Sequence, residues 1–200
     1  RFETANQKKG EMWELDTKKG IIVLSDSLRR VLITRLEDQT GGKLPELRTL
    51  RSVLLPEKAF VRSLAIDNTA DKIACGTYEG DIFLLTNFRN GDPGLKKIFK
   101  HEKGILALRF IPGKNMLVSV SLDNKIGILD LSSQKITAEI NVKNDIKGFV
   151  LFNDRILFSD DKGGIFSWDM NAAGKGPVLL YQNNNPVNSL AIDLLHNWLA

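Results

Sequence analysis

The chain has 200 residues, 42% hydrophobic and 26% charged, a composition ordinary for one or two globular domains. No apolar run approaches the ~18 residues a membrane helix needs, and the opening RFETANQKKGE lacks the apolar core of a signal peptide. Net charge is +4, which permits acidic partners without demanding them; one cysteine, Cys75, excludes an intramolecular disulfide and points to a reducing, cytoplasmic setting.

In chain order, the first 50 residues hold two readings. Leu28, Val31, Leu32 and Arg35 follow the i, i+3, i+4, i+7 spacing of an amphipathic helix over 26–37. The β-branched Val31, Ile33 and Thr34 argue instead for strands. Setting Ser25-Asp26 on Ser159-Asp160 lays IIVLSDSLRRVLITRL over RILFSDDKGGIFSWDM, which favours a degenerate copy of a later unit. MWEL (12–15) then falls in the first-strand slot, with Glu14 where a small residue is expected.

Further on, the chain repeats itself. VRSLAID (61–67) returns as VNSLAID (187–193), identical at six of seven positions, 126 residues later. That offset is three times 42, so copies are expected near 103 and 145. ILAL (105–108) and IKGF (146–149) fill those places. The template is Val or Ile (Val61, Ile105, Ile146, Val187), any residue, a small residue (Ser63, Ala107, Gly148, Ser189), then Leu or Phe. A second apolar strand follows in each copy: KIACGT, NMLVSVS, RILFSD. Hairpin signals YEGD, LDNK and DKGG lead to third strands IFLLT, KIGILDL and GIFSWDM. A weaker fourth strand is visible in KITAEINV (135–142). The pattern predicts an all-β chain with approximate units 1–50, 51–95, 96–140, 141–182 and 183–200.

Four-stranded all-β units at intervals of 41 to 44 residues resemble the blades of the WD40-repeat β-propeller family. Trp168-Asp169 at the end of a third strand is a literal WD, and Leu129-Asp130 holds the same slot one unit earlier. His101 stands 29 residues before Asp130, where the family places a histidine. The resemblance implies an incomplete propeller of about four blades plus the start of a fifth, with helix confined to short turns. VRSLAID and VNSLAID would be inner strands, whose small residues let tapering sheets approach. It implies further blades beyond Ala200, six or seven in all, and other domains of a larger parent chain. It also implies a non-catalytic protein-interaction, sensing or signalling scaffold with no cofactor.

The departures are informative. The family's blades are tied by a hydrogen-bonded His, Asp, Ser or Thr, and Trp. Here the blade with His101 has Leu129 in place of Trp, and the blade with Trp168 has Lys143-Asn144 in place of His. Such blades rest mainly on apolar burial.

Chemistry is scarce along the chain. Two histidines, His101 and His196, and one cysteine do not make a zinc site. Asp67, Thr69 and Asp71 have the spacing that opens a calcium loop, but Lys72 replaces the required Gly and no closing Glu follows, so a polar turn is expected. Cys75 lies in an apolar strand and reads as an inert thiol. Gly174-Lys175-Gly176 fails the phosphate-loop spacing and reads as a flexible connection between blades. Trp168 is expected in the core and Trp198 partly exposed. The small, neutral slots Ser63, Ala107, Gly148 and Ser189 disfavour catalysis at a central channel. The most suggestive feature is KKIFKHEKG (96–104), which reads either as a solvated inter-blade loop or as one in which Lys96, Lys97, Lys100, His101 and Lys103 meet an acidic protein partner. The alternative is a phosphate or nucleic-acid backbone on the same lysines.

Overall fold

The computed structural model describes residues 12–18, 20–37, 45–193 and 198–199. They fall in two compact units, Arg1–Asn115 and Met116–Ala200. The first holds β1 (Met12–Lys18), β2 (Ile21–Asp26), β3 (Arg30–Glu37) and β4 (Glu46–Leu54), paired in chain order as one antiparallel sheet. A second sheet of the same order comprises β5 (Val61–Ile66), β6 (Lys72–Thr77), β7 (Asp81–Thr86) and β8 (Gly94–Lys100), and β9 (Ile105–Phe110) follows. The second unit holds the antiparallel ladder of β10 (Met116–Ser121), β11 (Lys125–Asp130) and β12 (Lys135–Asn141). It also holds the sheet of β13 (Ile146–Phe152), β14 (Arg155–Asp160), β15 (Gly164–Asp169) and β16 (Val178–Gln182), and the short pair β17 (Ile192–Asp193) and β18 (Trp198–Leu199).

Burial explains which strands the sequence displays. The second strands, KIACGT, MLVSVS and RILFSD, are buried at every position after the first, so they read as continuous small or apolar runs. The outer strand β4, ELRTLRSVL, is one-sided: it alternates between exposed and half-buried along its whole length. An alternating, charged strand resembles a loop in sequence. Accordingly, the approximate unit borders at 50/51 and 95/96 fall inside β4 and β8, and the border at 140/141 clips the last residue of β12.

Residues 12–54 supply a full four-stranded sheet, and no helix occupies 26–37. Met12 opposes Asp26 with an irregularity before Leu15, just as Ile146 opposes Asp160 with one before Gly148. In the first unit, Val23, Val31, Ile33, Leu64, Ile66, Ile73, Cys75, Phe83, Leu85 and Phe88 form one buried cluster between the two sheets. Each large apolar side chain so buried contributes roughly 1.5–3 kcal/mol.

One joint recurs four times. The residue after each outer strand donates its N–H to the carbonyl of the turn between the second and third strands: Leu55 to Arg29, His101 to Gly80, Val142 to Asn124 and Asn183 to Gly163, all at 2.8–2.9 Å. The four acceptors have φ between 63° and 86°. At Gly80 a Cβ would also lie 2.5 Å from the His101 carbonyl oxygen, so the conformation and the close approach both select glycine. The last residue of each second strand closes the turn from the other side. Asp26 accepts from the Leu28 and Arg30 amides, Thr77 from Asp81, Ser121 from Asp123, and Asp160 from Lys162 and Gly164.

The small template positions are sites of close approach. Ser63 Oγ accepts the Leu108 amide at 3.0 Å. A Cβ on Gly148 would lie 3.0 Å from Ser189 Cα. In the last copy, however, 187–191 are not strand; only Ile192 and Asp193 pair, with Leu199 and Trp198. The Val187 carbonyl accepts from the Ser159 hydroxyl instead. The register is still that of the second sheet, where Ile66 opposes Ile73.

Candidate functional site

The lysine-rich segment is not a loop for most of its length. Lys96, Lys97 and Lys100 lie on β8, the outer strand of the second sheet, and only Lys103 stands in the turn beyond it. Lys97 opposes Phe83 and Lys100 opposes Asp81, with a bulge between. On a regular strand, residues three apart point to opposite faces. The extra residue, Ile98, lets both ammonium groups reach Asp81 Oδ1, at 2.7 Å for Lys97 and 3.2 Å for Lys100. Burial raises the Asp81 carboxyl pKa, but the hydrogen bonds and charges of Lys97 and Lys100 outweigh it and hold it below its ordinary value. One positive charge of the pair is thereby cancelled. Lys96 and Lys103 are exposed.

His101 leaves the proposed contact set. It is buried, donates its backbone N–H to Gly80 and meets Phe99 edge-on at 5.1 Å between ring centroids. The bulge and this burial are tertiary features, and a run of lysines in sequence announces neither.

The repeat residues Trp168, Asp169, Leu129 and Asp130 are structural in placement. Trp168 and Leu129 are fully buried at the same step of β15 and β11. The Trp168 indole donates to the Ala173 carbonyl at 3.1 Å, in a 3-10 helix (Met170–Lys175) that joins β15 to β16. AAGKGP is therefore a connection within one sheet rather than between blades. Asp169 and Asp130 accept the Asn171 and Ser133 amides, and the Ser133 backbone bond leads the interactions that lower the Asp130 pKa. Asn144, in the slot where the family has histidine, donates to Asp160 at 2.7 Å.

The other sequence candidates resolve plainly. Asp67 is the acceptor of its own turn, bonded by the Thr69 hydroxyl and by the Asp71 and Lys72 amides at 2.7 and 2.8 Å. Burial pushes the Cys75 thiol up to about 12. Among the described residues no group of three or more His, Cys, Asp or Glu is placed to hold a metal. The Trp198 side chain lies outside the described residues.

A second surface was not singled out by the sequence. Phe60, just before β5, and Tyr78, just after β6, are 44% and 43% exposed. The Tyr78 amide donates to the Phe60 carbonyl at 3.0 Å, and the Arg62 guanidinium sits over the Tyr78 ring, 5.1 Å from its centroid. A Cβ on Gly104 would lie 2.8 Å from the Tyr78 carbonyl, so Lys103 borders the same cluster. The signal lies in the repeat itself. The slot before the first strand is Gly104, Asp145 and Pro186 in the other copies, and the slot after the second is Leu122 and Asp161; an aromatic pair occurs only here.

The repeated four-stranded unit, its shared turn joint and its small-residue approaches define the chain as a run of WD40-type β-propeller blades. In sequence it is similar to WD repeat-containing protein 55 of Rattus norvegicus (28% identical over 144 residues, 68% of this chain and 36% of the relative) and of Danio rerio (27% over 157 residues, 76% and 40%). The chain thus spans about two fifths of these relatives' length. In structure it is similar to solved chains described as "Structure of U3-55K" and "Crystal structure of RRP9 WD40 repeats". Each has TM-score 0.74 and 12% identity, covering 94% of this chain and 57% and 56% of theirs. No family model matches. WD40-repeat domains as a class serve as protein-interaction scaffolds.

Proposed function

We propose that the chain is part of a non-catalytic interaction or sensing scaffold of a larger multidomain protein, and that it holds an acidic protein segment on Phe60, Arg62 and Tyr78 with Lys103 beside them. The observation that carries this reading is the pair of exposed aromatics, Phe60 and Tyr78, with the Arg62 guanidinium over the Tyr78 ring. Aromatic and arginine side chains dominate interface energetics, and here strand ends hold them rigidly at little entropic cost. The partner would place an apolar side chain on the two rings and a carboxylate near Arg62 and Lys103. Lys96 would add longer-range attraction along β8. A cytoplasmic setting belongs to the same proposal and rests on the single, buried thiol.

The nucleic-acid alternative is weaker for a specific reason. Lys97 and Lys100 share Asp81, so β8 and the turn after it offer a phosphate backbone less charge than their four lysines suggest.

The test is quantitative capture of the partner by the wild-type chain and by two variants. Arg62→Ala with Tyr78→Ala should weaken capture about thirtyfold or more, as loss of an interface hot spot does. Lys96→Glu with Lys103→Glu should weaken it at low salt and much less at high salt. Far-UV circular dichroism of both variants should match the wild type. Capture unchanged in the aromatic variant would reject this surface, and low-salt filter binding of single-stranded RNA or DNA would favour the phosphate alternative.

A further inference from the structure

The connection from β7 to β8, residues 87–93, is fixed at its start and open at its tip. Phe88 is buried in the core of the first unit, and the Arg89 Nε–H donates to the Ala70 carbonyl at 2.8 Å. Beyond them, Asn90, Gly91 and Asp92 are exposed and lie outside any strand. Gly91 has φ of 104°, and a Cβ placed on it would meet nothing within 4 Å. Among the described residues, no hydrogen bond engages the Asn90 side chain or the Gly91 N–H. Asn90-Gly91 is also the one Asn-Gly pair in the sequence. Other asparagines precede amides that are engaged: the Lys125 N–H donates to Asp123 at 3.1 Å, and the Val142 N–H to the Asn124 carbonyl at 2.8 Å.

We propose that Asn90 is a site of spontaneous covalent modification, where the folded chain exchanges a side-chain amide for a carboxylate with solvent water as the co-reactant. The Gly91 backbone nitrogen loses its proton and attacks Asn90 Cγ, closing a cyclic imide. The Cγ–Nδ2 bond breaks, and Nδ2 leaves as ammonia. Water then adds to either ring carbonyl. Opening at the Cγ–N bond gives aspartate in an ordinary backbone. Opening between the Asn90 carbonyl carbon and the Gly91 nitrogen gives isoaspartate, whose main chain runs through Cβ and Cγ. Either way, one amide and one water become a carboxylate and an ammonium ion, with no change of oxidation state. Adjacent residues supply both reacting atoms, so the attack is intramolecular. Glycine places no side chain beside the nucleophile, and an unbonded N–H gives up no partner when it reacts. The product sets a new negative charge between Asp92 and Arg89, whose Nε lies 3.8 Å from Asp71. None of these residues belongs to the surface proposed above.

The test is incubation of the 200-residue chain at neutral and mildly alkaline pH, followed by peptide mapping with mass spectrometry. The amide-to-carboxylate change should appear at Asn90 before any other asparagine. It should run faster at the higher pH, because the attacking nitrogen must lose its proton. Isoaspartate should be the main product, which direct hydrolysis of the side chain cannot give. The folded chain and the chain unfolded in urea should react at rates within about tenfold of each other, since the tip of this connection is already open. Asn90→Gln would need a larger ring, and should abolish the change at this position while leaving far-UV circular dichroism unaltered. Another asparagine reacting first, aspartate without isoaspartate, a rate indifferent to pH, or a folded chain protected well beyond that range would each overturn the proposal. The same change persisting at position 90 in Asn90→Gln would do so as well.

Discussion

Trp168 shows what a single residue does in this fold. It has no exposed surface, and its indole N–H holds the Ala173 carbonyl, so one side chain fills the core of β15 and fixes the connection to β16. Trp168→Ala should destabilise by about 3–5 kcal/mol, measured as a shift of the urea midpoint. A loss below ~1 kcal/mol would mean the core collapses around the gap. The tryptophan was legible as core because its slot repeats: Leu129 holds the same step of β11 and is equally buried. Tyr78 and Phe60 were not legible as surface. An aromatic at a strand end carries no mark of which way it faces, and only the turn geometry leaves these two rings in water.

At the scale of the element, the turn between β5 and β6 is organised by one carboxylate. Burial raises the Asp67 pKa, but the Thr69 hydroxyl, the Lys72 and Asp71 amides and the charge of Lys72 together bring it below its ordinary value. A depressed folded pKa stabilises above the unfolded value, near 4 for an aspartate, and the benefit is lost as pH falls through the folded pKa. Stability of the wild type should therefore decline below about pH 4 more steeply than that of Asp67→Asn, with urea melts between pH 2 and 6 as the measurement. Parallel curves would remove this turn from the acid response. Strands covered on both faces were readable as runs of small and apolar residues, and the turns as Asp, Gly and Asn. The outer strands were not, since an alternating strand in water has the composition of a loop. The Lys97–Asp81–Lys100 arrangement was hidden further by a bulge, which no residue type specifies.

At the scale of the whole molecule, the repeat was the legible quantity, and it led to the architecture before any one strand was secure. The four turn joints explain how. They are made by backbone N–H and carbonyl groups, so Leu, His, Val and Asn serve equally at the donor position. Side chains there are free to drift while the sheet keeps its form, which fits a TM-score of 0.74 at 12% identity. Cys75 gives that architecture a clock. It is the only thiol in the chain and lies fully buried in the middle of β6. A thiol reagent can reach it only when the second sheet opens, so labelling counts openings rather than molecules. In excess reagent the rate should level off at the opening rate itself. At neutral pH it should fall about a thousandfold or more below that of an unfolded thiol, read by absorbance or intact mass. Labelling as fast as that of a small free thiol would mean the second sheet spends much of its time open. Because nature supplied a single cysteine, the timing needs no mutation and refers to one known strand.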